Sequence, residues 1–287
     1  MLKRTISGIV GVALVVVLMI YNLQLPWLLN VALALIACVA LYEVLVATMA
    51  IKNPAIAVVC FAFTAALQFI PAFGRQSVIY MVATVSVAFL LILFMIALFS
   101  RNTVGIDKIA MVMLTTSMVA FPFFSLLYMY WKNPFNTYDY AVGQAMVIFC
   151  VLIAWLTDIG AYFSGFLFGK HKLCPDISPK KTVEGAIGGV VLCVGLCSLI
   201  AWLLTVKFKV TPIEVHWHNM LIVVFFGSLI SMLGDLSFSL VKRYFHIKDF
   251  GHIMPGHGGV LDRFDSVLFV APMVCVVNLY LPIIVTR

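Results

Sequence analysis

The least typical stretch of the chain is PGHGGVLDRFD at residues 255–265, which holds three glycines, a histidine, an arginine and two aspartates. Elsewhere charge is rare, because hydrophobic residues make up 64% of the sequence and charged residues only 10%. Glycines let a backbone turn sharply and approach phosphate oxygens, and carboxylates are the hard oxygen ligands that Mg²⁺ prefers. These residue types predict a site for a metal ion and a phosphorylated ligand.

Carboxylates and hydroxyls recur at helical spacing around this stretch. Asp235 lies within an apolar run, and Ser239 and Lys242 follow at i+4 and i+7 on the same helix face. Asp262 and Asp265 stand at i, i+3 on a predicted last helix, so we expect them to point the same way. We predict that Asp235, Asp262 and Asp265 converge and bind Mg²⁺.

A second polar segment, DISPKKTVEGAIGG at residues 176–189, precedes a glycine-rich helix start. Paired lysines, hydroxyls and the amides of a helix N-terminus are what a polyphosphate requires. The P-loop pattern GxxxxGK[ST] is absent from the sequence. An equally good reading is a basic cytoplasmic loop in which Thr182 caps the helix and Glu184 occupies its first turn. Both readings stay open at this point.

The third polar segment is WLTDIGAYFSGFLFGKHK at residues 155–172, where Asp158 lies two to three turns inside an apolar run. A carboxylate at that depth needs a partner or a water-filled cavity. The alternative is an aspartate that only bonds a neighbouring helix. Glycines 160, 165 and 169 allow a close backbone approach, either by another helix or by a ligand.

The elements that position these residues are membrane helices, since the mean hydropathy is +1.15 over 287 residues. A spanning helix needs about 20 apolar residues. We predict an all-α, polytopic integral membrane protein with about nine transmembrane helices, and a first run that is retained and not cleaved as a signal peptide. The runs are 5–22, 25–49, 54–73, 77–99, 106–130, 140–168, 183–206, 217–241 and 262–285.

Basic residues predict the orientation, because they accumulate in cytoplasmic loops. With the N-terminus cytoplasmic, thirteen of the 18 lysines and arginines fall on the cytoplasmic side. Residues 170–182 and 242–262 then face the cytoplasm together. The high pI of about 9.1 is explained by such loops facing anionic lipid, so we expect no nucleic-acid partner.

Acidic residues are distributed unevenly along the chain. Residues 1–150 carry Glu43, Asp107 and Asp139, whereas residues 151–287 carry the other eight acids. We predict one membrane-embedded domain, 1–287, in which 1–150 provide packing and lipid contact and 151–287 form the catalytic half.

Residues 239–265, the signature run, read Ser-x-x-Lys-Arg-x₄-Lys-Asp-x-Gly-x₃-Pro-Gly-His-Gly-Gly-x-x-Asp-Arg-x-Asp. The run resembles the signature of the phosphatidate cytidylyltransferase (CDP-diacylglycerol synthase) family. Asp158, the Gly-Ala-Tyr at 160–162 and the Ser-Pro-Lys-Lys-Thr segment with Glu184-Gly185 resemble a second conserved region of that family. The motif resemblance covers residues 155–266, and residues 1–150 match it only in hydropathy.

The resemblance implies an enzyme that transfers CMP from CTP to phosphatidic acid and releases CDP-diacylglycerol and pyrophosphate. The expected cofactor is Mg²⁺, a monovalent cation is a candidate second ion, and a homodimer is a candidate assembly. The implied location is a bacterial plasma membrane with the active site on its cytoplasmic face. The implied catalytic residues are Asp235, Asp262, Asp265, Lys242 and His257, and the implied substrate-binding residues are Asp158, Ser178, Lys180, Lys181, Thr182, Glu184, Ser239, Arg243, Lys248, Asp249, Gly258, Gly259 and Arg263.

Some roles and some protein classes stay open. His257 is either a phosphate donor or proton shuttle, or a neutral histidine that holds a turn. Asp249 is either a site residue or simply the ion-pair partner of Lys248. A secondary transporter would also carry acids and bases inside helices, and a CTP-dependent polyprenol or lipid-alcohol kinase would transfer the γ-phosphate to a hydroxyl.

Overall fold

The computed structural model describes residues 17, 20–22, 24–73, 75–100, 104–131, 140–207, 213–253 and 258–286. In these ranges helices dominate, in keeping with the apolar runs of the sequence. The longer helices are α1 (Trp27–Ala47), α2 (Pro54–Phe69), α3 (Arg75–Phe99), α4 (Ile106–Trp131), α5 (Tyr140–Phe168), α6 (Val183–Trp202) and α7 (Trp217–Tyr244). Near the C-terminus follow α8 (Leu261–Phe264) and α9 (Val267–Tyr280).

Seven helices in the described part of the chain, α1 to α7, are long and apolar enough to cross a membrane. Their bounds follow the predicted runs closely, as in α4, where the sequence predicts 106–130 and the helix covers Ile106–Trp131. The first predicted run lies mostly outside the described residues, although 20–22 are helical. The total of nine helices and the cytoplasmic N-terminus therefore stay predictions.

The last predicted run, 262–285, is not one helix, and this expectation is wrong. It is divided into α8, which ends at Phe264, and α9, which begins at Val267, with a turn at Asp265 and Ser266. The Asp265 side chain accepts a hydrogen bond from the backbone N–H of Ser266 at 2.8 Å. Because such a local bond competes with the helical ladder, Asp262 and Asp265 do not share the face of a continuous helix.

Two small antiparallel sheets accompany the helices, whereas the sequence predicts an all-α fold. Strands β1 (Lys172–Cys174) and β2 (Ser178–Thr182) form a hairpin between α5 and α6. Strands β3 (Ile213–Val215) and β4 (Ile284–Thr286) pair with Glu214 opposite Val285. Each strand has five residues or fewer, so the helical class of the fold is unaffected.

The chain forms two compact units. The first unit comprises Met1–Leu127 and Phe245–Phe264, and the second comprises Tyr128–Tyr244 and Asp265–Arg287. In the first unit α2 packs against α1 and α3, with the rings of Phe63 and Phe89 stacked at 4.2 Å. In the second unit α5, α6, α7 and α9 pack together. The predicted roles of residues 1–150 in packing and of 151–287 in catalysis stay predictions.

Helices α5 and α6 are joined by a backbone-to-backbone contact. A Cβ atom added at Gly160 would meet the Cα of Gly189 at 3.1 Å, and one added at Gly185 would meet the carbonyl oxygen of Ala161 at 2.8 Å. Small residues at such interfaces let helices approach closely in membranes. For Gly160, the partner that comes close is therefore a helix.

Candidate active site

The second unit holds a cluster of charged side chains around Asp235 on α7. The ammonium of Lys181, at the end of β2, lies 2.5 Å from Asp235 Oδ2. The Ser239 hydroxyl donates to Asp235 Oδ1 at 3.3 Å, which confirms that both side chains lie on one face of α7. The Lys181 and Asp235 side chains are 22% and 26% exposed, so the pair is largely shielded from solvent.

Asp158 and Asp265 extend this cluster on its other side. The Ser266 hydroxyl donates to Asp158 Oδ2 at 3.0 Å, linking α5 to the turn that precedes α9. Asp265, in the same turn, is 7% exposed. The close approach of Gly234 on α7, where a Cβ would meet the Asp265 carbonyl oxygen at 3.0 Å, keeps this turn against α7. Asp158 thus has a hydrogen-bond partner on another element, as the sequence predicts for a carboxylate inside an apolar run.

The three carboxyl groups act on one another electrostatically. Asp235 lies within Coulombic range of both Asp158 and Asp265. The cations that offset this charge are Lys181 near Asp158 and Lys242 near Asp265. We call Asp158, Lys181, Asp235, Lys242 and Asp265 the acid–lysine cluster. The three acids provide oxygen donors that suit an added cation, and the two lysines can bind phosphate oxygens.

The β1–β2 hairpin presents the basic residues of the second polar segment. Lys180 is exposed, Ser178 is half-buried, and Lys181 turns towards Asp235. The Thr182 hydroxyl accepts a hydrogen bond from the Gly185 N–H at 3.1 Å, so Thr182 caps α6 as the alternative reading predicts. Capping accounts for Thr182 but leaves the two lysines to another role.

Glu184 binds the chain that enters the hairpin. Its carboxylate accepts hydrogen bonds from the backbone N–H groups of Lys170 and His171 at 3.0 and 3.2 Å, and it lies 2.6 Å from His171 Nδ1. These contacts stabilise the start of the hairpin. The predicted role of Glu184 in substrate binding stays untested.

Arg243 connects the end of α7 to the same hairpin. Its Nε–H donates to the carbonyl oxygen of Ile177 at 3.3 Å. Because Ile177 precedes β2, the hairpin and the last turn of α7 lie at the same end of the second unit. The wider prediction, that all of 242–262 faces the same side as the hairpin, stays untested.

The first unit holds Asp262 in a network of its own. Asp262 Oδ2 accepts hydrogen bonds from the N–H groups of Phe250 and Gly259, both at 3.0 Å. Gly258 adopts a left-handed backbone conformation with φ at +84°, which glycine tolerates best. Asp262 therefore holds the backbone at Phe250 and at Gly259, and its role as a metal ligand stays a prediction.

The remaining signature residues are placed as follows. Lys248 and Arg263 are exposed, Asp249 is half-buried near Gly258, and Gly259 is buried. His257 lies outside the described residues, so both readings of its role stay open.

Two residues of these networks are missing from the sequence-based prediction. Glu43 on α1 accepts hydrogen bonds from the N–H groups of Val260 and Leu261 at 2.9 and 2.8 Å. The Ser266 hydroxyl donates a hydrogen bond to Asp158. The signal for Glu43 is present in the sequence, because a lone acid within an apolar run needs a partner just as Asp158 does. Ser266 has no comparable signal.

The described residues contain no group of three or more His, Cys, Asp or Glu side chains arranged to hold a metal ion by themselves. Mg²⁺ is usually bound by one or two carboxylates together with water and substrate phosphates. The oxygen donors of Asp235, Asp265 and Ser239 suit such a shared site in their chemistry. The predicted three-carboxylate site stays a prediction.

The described residues thus combine seven apolar helices of membrane-spanning length with a largely shielded acid–lysine cluster, in keeping with a polytopic membrane protein. A family model described as "Cytidylyltransferase family" matches residues 2–281 of this chain. The chain therefore belongs to the cytidylyltransferase family, as the resemblance in its signature run predicts.

Similar proteins carry the name phosphatidate cytidylyltransferase. The protein of Staphylococcus saprophyticus is 48% identical over 131 residues, which are 46% of this chain and 48% of the relative. The protein of Bacillus subtilis strain 168 is 37% identical over 172 residues, 60% of this chain and 59% of the relative. The chain thus matches about half the length of the staphylococcal relative and somewhat more of the other.

Proposed function

We propose that the protein transfers CMP from CTP to phosphatidic acid, giving CDP-diacylglycerol and pyrophosphate. The family and the names of the relatives support this reaction. The observation that carries the proposal is the Lys181–Asp235 pair, which lies with Asp158 and Asp265 among apolar helices. A largely shielded group of charges among apolar helices suits a reaction that joins a soluble nucleotide to a membrane lipid.

In this reaction a phosphate oxygen of the lipid attacks the α-phosphorus of CTP, and pyrophosphate leaves with the electron pair of the broken P–O bond. The nucleophile belongs to the substrate, so no serine or cysteine nucleophile is required. The protein has to position two anionic substrates and neutralise their charges. Lys181 and Lys242 supply positive charge in the cluster, and the exposed Lys180 supplies it at the hairpin surface.

In the Lys181–Asp235 pair, the lysine already has an anionic partner before substrate arrives. Its ammonium lies 2.5 Å from a carboxylate oxygen, which offsets the cost of shielding it from water. An incoming phosphate offers the same ammonium a second anionic partner. Lys181 then binds the substrate phosphates, while Asp235 becomes free to bind a cation.

We further propose that Mg²⁺ takes part, with Asp235 and Asp265 as its protein ligands. The donor set fits the ion, because it consists of carboxylate and hydroxyl oxygens without sulfur. When bound, the ion would neutralise negative charge on the CTP phosphates. Asp158, bonded to Ser266, keeps the turn that carries Asp265 against α5.

The proposed location is a bacterial plasma membrane, with the hairpin facing the cytoplasm where CTP is made. The basic residues of the hairpin support this orientation, since Lys172, Lys180 and Lys181 all lie on it.

Product labelling tests the proposed reaction against the kinase alternative. The purified protein is incubated in detergent micelles with Mg²⁺, phosphatidic acid and CTP carrying ³²P at either the α- or the γ-phosphate. A cytidylyltransferase moves the α-label into lipid and releases the γ-label as pyrophosphate. A lipid kinase moves the γ-label into lipid, an outcome that we would test with diacylglycerol and polyprenol as acceptors. Absence of α-label in the lipid fraction with phosphatidic acid would refute the proposal.

A further inference from the structure

Glu43 on α1 is buried, with 2% of the residue exposed. Its two carboxylate oxygens are used separately, since Val260 N–H donates to Oε1 at 2.9 Å and Leu261 N–H donates to Oε2 at 2.8 Å. The donors lie 217 and 218 residues further along the chain. Glu43 thus makes a long-range connection from the first described span to the signature run.

Two glycines of the signature run are shaped to this carboxyl group. A Cβ atom added at Gly251 or at Gly259 would collide with the Glu43 carboxyl group. The absence of side chains at these positions lets the backbone surround the carboxylate on more than one side. The contact therefore includes the two hydrogen bonds and the backbone that packs around them.

The same backbone is held by Asp262. Its Oδ2 accepts hydrogen bonds from the N–H groups of Gly259 and Phe250. Glu43 accepts hydrogen bonds from the next two N–H groups after Gly259, those of Val260 and Leu261. The three successive backbone N–H groups of residues 259–261 therefore all donate hydrogen bonds to buried or half-buried carboxylates. The backbone that precedes Asp262 has little freedom to move while both carboxylates are in place.

We propose that Glu43 is a positioning residue, which fixes the backbone of Gly251 and of residues 259–261 and thereby orients Asp262. The structural half of this proposal is independent of the reaction. Its consequence for turnover rests on the proposed function and on the predicted role of Asp262 as a metal ligand. A helix of the first half of the chain would then serve the reaction as well as packing.

Glutamine is the informative replacement, because it has nearly the same shape as glutamate. A carboxylate accepts at both oxygens, whereas the amide accepts at one and donates at the other. In Glu43→Gln, one of the two backbone N–H groups would face an N–H donor and lose its partner. Glu43→Asp keeps the charge and both acceptors but is shorter by one methylene, so it should restore part of what glutamine loses.

Amide hydrogen exchange tests the structural half without reference to activity. In Glu43→Gln we expect peptides covering 258–264 to exchange roughly ten- to a hundredfold faster than in wild type, as for a lost charge-assisted hydrogen bond. Peptides of α2 should be unchanged. The matched control is Asp107→Asn, the same chemical change at an exposed acid of the first unit, which should leave 258–264 protected. Wild-type protection in Glu43→Gln, or equal acceleration in α2, would overturn the proposal.

Gly251→Ala tests the same contact from the other side and serves if Glu43→Gln does not fold. The added methyl group would collide with the carboxyl group, so the same peptides should exchange faster. Because both changes act on one contact, their effects should not add in the double variant. Normal protection of 258–264 in Gly251→Ala would overturn the proposal.

Kinetics test the catalytic half. In Glu43→Gln the KM for CTP should rise about tenfold, and Glu43→Asp should recover part of this loss. A smaller folded fraction would lower kcat and leave KM unchanged, so the KM distinguishes positioning from mere stability. Unchanged CTP kinetics with accelerated exchange would overturn the catalytic half. If wild-type protein shows no cytidylyl transfer, the proposed function fails while the exchange result still decides whether Glu43 holds the backbone.

Discussion

Replacement of Asp235 by asparagine separates the catalytic use of the acid–lysine cluster from its contribution to stability. The change keeps the size of the side chain and an oxygen acceptor for Ser239, and it removes the negative charge beside Lys181. We expect the folded protein to survive and turnover to be largely lost.

The expected change in stability follows from two opposing contributions. An exposed ion pair contributes about 0–1 kcal/mol, whereas breaking a fully buried pair costs about 3–5 kcal/mol. The Lys181–Asp235 pair lies between these cases, with side chains 22% and 26% exposed, so its loss should cost about 1–2 kcal/mol. Removing the charge also relieves its repulsion with Asp158 and Asp265. We therefore expect the free energy of unfolding to decrease by about 1 kcal/mol.

Turnover should fall far more. A charge-assisted hydrogen bond contributes about 1.5–3 kcal/mol, which corresponds to roughly ten- to a hundredfold in rate. Loss of the proposed metal ligand adds to this, so we expect a decrease of at least about a hundredfold that added Mg²⁺ does not restore.

The assay is pyrophosphate release with CTP and phosphatidic acid over a range of Mg²⁺ concentrations, alongside a thermal melt in detergent. Asp176→Asn provides a matched control, because it makes the same change at an exposed aspartate of the hairpin turn. It should turn over normally. Near-normal turnover in Asp235→Asn at ordinary Mg²⁺ would show that this carboxylate serves packing, and the metal-site proposal would have to be abandoned.

Three further predictions concern the second unit. Lys180→Ala should raise the KM for CTP about tenfold without changing the melting temperature, since Lys180 is exposed. Unaltered CTP kinetics would show that this lysine contributes only to membrane orientation. Gly189→Val should lower the free energy of unfolding by about 1–3 kcal/mol in a denaturation assay, because even a Cβ would lie 2.9 Å from a carbonyl oxygen of α5; normal stability would contradict that packing. With Cys174 replaced by serine, a cysteine at position 176 should react with an impermeant maleimide from the cytoplasm and one at 214 from outside, and the reverse pattern would refute the predicted orientation.

Hydropathy predicts the helices well, because burial in lipid demands long, uninterrupted apolar segments. The predicted run 140–168 coincides with α5, Tyr140–Phe168. The β1–β2 hairpin is not predicted, since three- and five-residue strands rich in lysine and proline carry no periodic pattern. The break between Asp262 and Asp265 is missed for a related reason, as a single side-chain bond to the Ser266 N–H leaves no trace in hydropathy.

The residues of the candidate site could likewise be predicted only in part. Asp158, Lys181 and Asp235 are predictable, because charges in or beside apolar runs need partners, and the structure brings these three together. Which partner each takes depends on contacts between distant segments. Ser266 lies 108 residues from Asp158, and Glu43 lies 217 residues from Val260, so spacing within a helix could not reveal either bond.

The contact between α5 and α6 has a consequence for how the protein responds to different bilayers. Helices adjust to bilayer thickness by tilting, and a pair with touching backbones at Gly160 and Gly189 must tilt as one body. The β1–β2 hairpin joins the ends of this pair, so Lys181 moves with it. The distance between Lys181 and Asp158 should therefore be insensitive to lipid chain length, because a thicker or thinner membrane would change the tilt of the pair as a whole.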